Sequence, residues 1–335
     1  MSGFQHKYAH TNGIRMHYVE EGEGPVVVLL HGWPESWYSW RHQISFLADA
    51  GYRVIAPDQR GYGDTEVPSE VGCYHILNLV GDVVGLLNTL EIRSAALVGH
   101  DWGSMVAAAA ALLRPDLFHR VCLLSVPYMP RRSLRPSTRF QLATQGKHFY
   151  QDYFQRVGIV EKELAEDTHR SILGTLYAGS GEARKHPEHS RSDFTSFDKS
   201  TRFVDNLVVP DQLPAWLTKE DLDVFVKQFE RSGFFGGINW YRNMDRNWEL
   251  TPFWNGAELI QPLMFIAGEF DGVLTMAGEE YEALDINARQ LIGKELIPGA
   301  GHWIQQERPD HVNQLLLKFV ECMCDEPHSP RDSCR

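Results

Sequence analysis

Four short runs of purely apolar residues constrain this chain more than any other feature: 26–30 (Val-Val-Val-Leu-Leu), 54–56 (Val-Ile-Ala), 95–98 (Ala-Ala-Leu-Val) and 121–124 (Val-Cys-Leu-Leu). A strand with one wet face alternates polar and apolar residues, so an unbroken apolar run belongs to a strand covered on both faces. Between the runs lie amphipathic stretches of helix length, at 40–49, 78–90 and 104–114. Strand alternating with helix predicts a mostly parallel sheet with helices on both faces. Upstream, Asn12-Gly13 between 8–10 and 14–20 predicts a β-hairpin. The pattern stops after Val126-Pro127 and gives way to helical patterns and long loops up to 254. One helix there is well signed, with Thr218 as N-cap, Asp221 three residues on and Gly233 past its end. A buried strand returns at 262–267, then a short strand near 295–297 and a closing helix over 310–321. The expected organisation is an α/β core (1–127 and 256–323) interrupted by a helical insertion (128–255), with a polar, disordered tail (324–335).

Composition narrows the function. Of 335 residues, 44 are acidic and 32 are Lys or Arg, a net charge of −12 that repels phosphate backbones. Arg131, Arg132 and Arg135 cluster, but three arginines in a Pro-containing stretch read as a solvated loop, so no nucleic-acid partner is expected. The longest apolar run, 105–113, is far short of the roughly 20 residues of a membrane span. The first residues have no apolar signal segment, and the five cysteines form no C-x-x-C pair. A cytoplasmic protein is expected, as a monomer or homodimer.

Chemistry concentrates at Gly99-His100-Asp101-Trp102-Gly103, between a buried strand and an Ala-rich helix. Two glycines permit a tight strand–turn–helix that pushes the central side chain outward, the context of a nucleophile elbow with Asp101 where serine is usual. In that arrangement an acid and then a histidine follow in the chain. Asp271 lies just past the 262–267 strand, with Glu269 as the competing acid. His302, flanked by glycine in Gly299-Ala-Gly-His-Trp303, stands out from the other fourteen of the 15 histidines. After the first buried strand, His31-Gly32-Trp33-Pro34 could offer the Trp33 N–H, with that of Trp102, to a developing oxyanion.

A carboxylate nucleophile attacks saturated carbon and leaves an alkyl ester on the enzyme. Water activated by His302, oriented by Asp271, would then attack the ester carbonyl. Alkyl halides and epoxides are the substrates this chemistry suits. Halide leaves unaided, whereas an opening epoxide forms an alkoxide almost as basic as hydroxide (water pKa about 15.7), which a tyrosine of pKa ~10 can protonate. The insertion carries tyrosines in 149–155 (Phe-Tyr-Gln-Asp-Tyr-Phe-Gln) and in 239–244 (Asn-Trp-Tyr-Arg-Asn-Met).

From about residue 5 to residue 323 the chain resembles the soluble epoxide hydrolases of the α/β-hydrolase superfamily. The motifs that carry the likeness are His31-Gly-Trp-Pro34, Asp58-Gln-Arg-Gly-Tyr-Gly63, Gly99-His-Asp-Trp-Gly103, Asn239-Trp-Tyr-Arg-Asn-Met244 and Gly301-His-Trp303. The resemblance implies an α/β-hydrolase core with an inserted helical cap, Asp101 as nucleophile, His302 as base and Asp271 as its orienting acid. It also implies that the cap residues Tyr150 and Tyr241 hydrogen-bond the epoxide oxygen; Tyr153 competes with Tyr150. The expected ligand is a small hydrophobic epoxide and water, with no cofactor or metal, in a pocket walled by Trp33, Trp102, Phe149 and Trp303. Two departures stand out: the family often has phenylalanine at the place of Trp33 and glycine at that of Ser104. The phosphatase domain of vertebrate members has no counterpart here.

Two other functions compete. A haloalkane or haloacid dehalogenase uses the same aspartate and histidine, but such enzymes commonly place asparagine at the position of Trp33. A small-hydrophobe receptor on this fold needs no intact nucleophile, acid and base. Gly179-Ser-Gly181 lacks the third glycine of a dinucleotide loop, and His186-Pro-Glu-His189 reads as a solvated loop rather than a metal site. Glu35 and Asp58 read as loop-pairing residues.

Overall fold

An eight-stranded sheet is the spine of the computed structural model, which describes residues 3–144, 146–186 and 195–321. The chain first forms a hairpin, β1 (Gln5–Thr11) and β2 (Ile14–Glu21), turning through Asn12 and Gly13, both at positive φ. There follow β3 (Val26–Leu30), β4 (Arg53–Pro57), β5 (Ala95–His100) and β6 (Phe118–Leu124). After a long departure come β9 (Leu259–Gly268) and β10 (Ala288–Ile297), while β7 (His148–Phe149) and β8 (Ser196–Phe197) form a separate two-stranded ribbon. The order is β1-β2-β4-β3-β5-β6-β9-β10, parallel from β4 onward and antiparallel in the first two pairings.

The apolar runs are buried on both sides because successive side chains serve opposite faces. Val28, Leu30, Leu97 and Leu123 meet Leu79, Val83, Leu86, Val106 and Ala107 of the helices Ile76–Thr89 and Trp102–Leu113. Val27, Leu29, Val98 and Leu124 meet Ile44, Leu47, Val312, Leu316 and Phe319 of the helices Arg41–Asp49 and Pro309–Glu321. Each fully buried Leu, Ile or Phe contributes about 1.5–3 kcal/mol relative to exposure, so this double layer fixes the strand ends rigidly.

Between β6 and β9 the chain is mainly helical, and it docks over the C-terminal strand ends. Trp240 donates its indole N–H to the Arg60 carbonyl at 3.1 Å, and Arg41 pairs with Asp221 at 3.0 Å. A Cβ on Gly236 would lie 2.3 Å from the Gly61 oxygen, so two backbones touch where a side chain cannot enter. The helix Lys219–Ser232 starts on the Thr218–Asp221 capping box and stops at Gly233, φ +68°. The strand expected near 295–297 is instead the ten-residue β10. It is an edge strand, so polar Arg289, Gln290, Lys294 and Glu295 replace an apolar run. The β7–β8 ribbon is unannounced in the sequence. Residues 187–189 and the 324–335 tail lie outside the described residues. No helix among the described residues is long and apolar enough to cross a membrane.

Candidate active site

Asp101 sits at the end of β5, at φ +53°, ψ −120°, and heads the helix Trp102–Leu113. That conformation costs a non-glycine residue on the order of 1–3 kcal/mol. Its neighbours leave no alternative. A Cβ on Gly99 would lie 2.2 Å from the Gly103 oxygen, and one on Gly103 would lie 2.0 Å from the Leu30 oxygen. The strand and helix therefore close tightly enough to lift the Asp101 carboxylate into the space above. Trp33 N–H donates to its Oδ1 at 2.8 Å, and Gly32 leaves room, since a Cβ there would fall 2.3 Å from the same oxygen. As the first residue of its helix, Trp102 has an N–H with no intrahelical acceptor.

His302 faces Asp101 across a short gap, Nε2 to Oδ2 3.6 Å. Its Nδ1 lies 3.1 Å from both oxygens of Asp271, which follows β9. Asp271 is oriented in turn by the Val273 N–H at 2.9 Å. Burial alone would lower the His302 pKa, but Asp271 and Asp101 more than reverse this and hold it well above the usual imidazole value. Burial alone would raise Asp271; the charge and hydrogen bond of His302 lower it instead. Glu269, the competing acid, is exposed and accepts the Gly299 N–H at 3.0 Å, away from His302.

The backbone of His302 is pinned from three sides. His100 Nε2 and the Ser125 hydroxyl donate to its carbonyl at 2.7 and 2.8 Å, and its own N–H donates to the Gly179 carbonyl at 2.7 Å. His100 is fully buried, with Nδ1 2.7 Å from Glu35 Oε2. Burial would raise Glu35, yet the His100 contact, its hydrogen bonds and His31 bring it down to about 2. Sequence reading gave no role to His100 or Ser125, and it weighed Gly179-Ser-Gly181 only as a dinucleotide loop. The only available signal was His100 standing directly before Asp101 at a strand end.

Tyr150 and Tyr241 are buried across from Asp101, their ring centroids 5.8 Å apart. The Trp102 ring packs edge-on to Tyr241, centroids 5.1 Å apart, and the Tyr150 oxygen accepts from Gln151 Nε2 at 2.8 Å. Burial first, and then the nearby negative charge of Asp101, raises both phenol pKa values well above 10. Tyr153, one helical turn from Tyr150, donates to Glu163 and lines neither chamber beside Asp101.

Two chambers meet at Asp101, Tyr150 and Tyr241. One is closed by Trp33, Ala178, Thr195 and Trp303; the other, about 330 Å³, by Trp102, Met105, Phe149 and Met244. Of the four expected wall residues, Trp33 and Trp303 border the first chamber and Trp102 and Phe149 the second. Away from both chambers, His17, Asp58 and Asp64 come within reach of a common ion, but His17 and Asp58 satisfy one another at 2.7 Å and Asp64 pairs with Arg231 at 2.9 Å.

Residues 25–309 match the family described as alpha/beta hydrolase fold. Epoxide hydrolase A of Mycobacterium tuberculosis is 44% identical over 312 residues, 92% of this chain and 95% of that one. Epoxide hydrolase 2 of Siraitia grosvenorii is 39% identical over 328 residues, 96% and 99% of the two chains. The solved structure of an epoxide hydrolase from an endophytic Streptomyces superposes with a TM-score of 0.94 at 43% identity, covering 97% of this chain and 98% of that one. With the elbow aspartate, the strand-end acid and the loop histidine in one pocket, this chain belongs to the epoxide hydrolases of the α/β-hydrolase fold.

Proposed function

We propose that the protein adds water to epoxides through a covalent ester on Asp101, giving vicinal diols. Oδ1 is held by the Trp33 N–H, which leaves Oδ2 to attack an epoxide carbon. The new Oδ2–C bond forms as the ring C–O bond breaks, and the alkoxide takes a proton from Tyr150 or Tyr241. Water placed beside Nε2 then gives its proton to His302, and the resulting hydroxide adds to the Asp101 carbonyl carbon. The tetrahedral oxyanion on Oδ1 is held by the N–H groups of Trp33 and Trp102. Its collapse breaks the bond from carbonyl carbon to alkyl oxygen, which takes the proton of the new Asp101 carboxyl, so the diol leaves carrying an Asp101 oxygen, Asp101 is again a carboxylate and His302 again charged.

The observation that carries this reading is the pair of buried phenols, packed edge to face, that line the same chambers as the nucleophile. A departing halide requires no proton, so two buried donors support an epoxide over a haloalkane. Esterification also removes the Asp101 charge that helps raise three pKa values. The phenols thereby become more acidic when a proton is required, and His302 less basic, so that it gives up its proton to restore the tyrosine and stands neutral, able to take one from water.

Single turnover of an aryl epoxide in ¹⁸O-water, with enzyme in excess, tests the route. Unlabelled diol with ¹⁸O in the peptide carrying Asp101 is expected; label in the first-turnover diol would mean direct attack by water. Because two donors share the oxygen, Tyr241→Phe alone should keep measurable activity. Removing both hydroxyls, in Tyr150→Phe/Tyr241→Phe, should slow ester formation by about 10³-fold or more, judged from the general-acid contribution of 10²–10⁴. Stopped-flow tryptophan fluorescence would follow that step, and complete loss in Tyr241→Phe alone would contradict sharing.

A further inference from the structure

The cavity continues beyond the tyrosines. Past Met105 and Met244 it opens into an apolar space along the helix Trp102–Leu113, bordered by Ala108, Leu112 and Trp248. Arg139, on the helix Pro136–Ala143, lines both spaces.

Four arginines fall within 131–139, and three have partners. Arg131 donates to the Trp248 carbonyl at 3.2 Å and lies 4.0 Å over its ring. Arg132 pairs with Glu280, and Arg135 with Glu249 and, at 3.5 Å, Asp245. The Arg139 guanidinium has no hydrogen bond or ion pair among the described residues. Glu279, the one carboxylate that acts on it, is 3.7 Å from Arg132. Arg139 is half-buried, and burial followed by the like charge of Arg132 lowers its pKa. A cation partly withdrawn from water, beside an apolar space and with no anion of its own, is matched by a ligand that brings one.

We propose that Arg139 is a specificity residue that reads the carboxylate of an acidic epoxide, whose ring lies at Asp101 and whose apolar chain follows the helix Trp102–Leu113. This rests on the epoxide-opening reading above. Met105, where the two spaces join, is four residues along that helix from Asp101, about 6 Å at 1.5 Å per residue.

The test compares kcat/KM for terminal epoxides of straight-chain acids with that for their methyl esters, as a chain-length series, beside a neutral aryl epoxide. In the wild type the acid should be favoured about tenfold or more at its best length, through KM rather than kcat, as for a charge-assisted contact. In Arg139→Gln the ratio should fall to about one, and Arg139→Lys should keep part of the preference. A ratio taken within one enzyme cancels any general loss of activity. If Arg139→Gln does not fold, inhibition of aryl-epoxide turnover in the wild type by a saturated fatty acid against the matching alcohol reads the same preference. Turnover of the aryl epoxide with no acid preference, or with a preference untouched by Arg139→Gln, overturns the role of Arg139 alone. No turnover of any epoxide overturns the reading beneath it.

Discussion

Asp101→Asn is expected to lower early diol formation by about 10⁴-fold or more, the scale seen when a covalent nucleophile is removed from a hydrolase. An amide has the shape of the carboxylate but no anionic oxygen to displace at carbon. Its oxygen can still accept the Trp33 N–H now 2.8 Å from Oδ1, so the elbow should stay closed and the melting temperature near that of the wild type. The substitution also imitates the charge state of the ester intermediate. His302 loses one of the two carboxylates that raise it, and its pKa should fall, visible by NMR titration of the imidazole. Early rates like the wild type would mean that His302 delivers water straight to the epoxide. An unmoved His302 pKa would mean that Asp271 alone raises it, and the proposed change in basicity on esterification would be lost.

Much of the core was legible because its strands are covered on both sides. At 26–30 and 95–98 both faces demand apolar residues, so the run itself announces the strand. β10 demands little, being an edge with exposed Arg289 and Glu295, and it was read as three residues rather than ten. The elbow was legible for a different reason: two glycines around Asp101 answer to close backbone contacts that no side chain tolerates. Choices between near neighbours were not. Asp271 and Glu269 share one strand end, and only the direction of each side chain separates them: one turns to His302, the other to the Gly299 N–H. Tyr150 and Tyr153 share one helical turn, and Glu163 holds the second away from the chambers. His100 and Glu35 lie 65 positions apart, and His100 meets the His302 carbonyl across 202, so no local pattern could join them.

His302→Gln should separate the two halves of the reaction. Ester formation requires only the Asp101 carboxylate and the tyrosine hydroxyls, whereas its hydrolysis requires a base. The variant should therefore consume about one equivalent of epoxide and stop, with kcat reduced about 10³–10⁴-fold, near the upper part of the range for general-base removal. Intact-protein mass spectrometry should find the enzyme heavier by the mass of the epoxide, with the addition on the peptide carrying Asp101. Loss of His302⁺ also removes the counter-charge nearest to Asp101, 3.6 Å away, which leaves the carboxylate more basic and does not weaken it as a nucleophile. The adduct should thus form at a rate within about tenfold of the wild type, since the lost attraction is partly screened. An inactive variant that carries no adduct would place His302 in the first step, and the order of events proposed for this pocket would have to be reversed. Accumulation of the adduct would fix that order independently of the isotope experiment, because it isolates the ester chemically where the label only reports its passage.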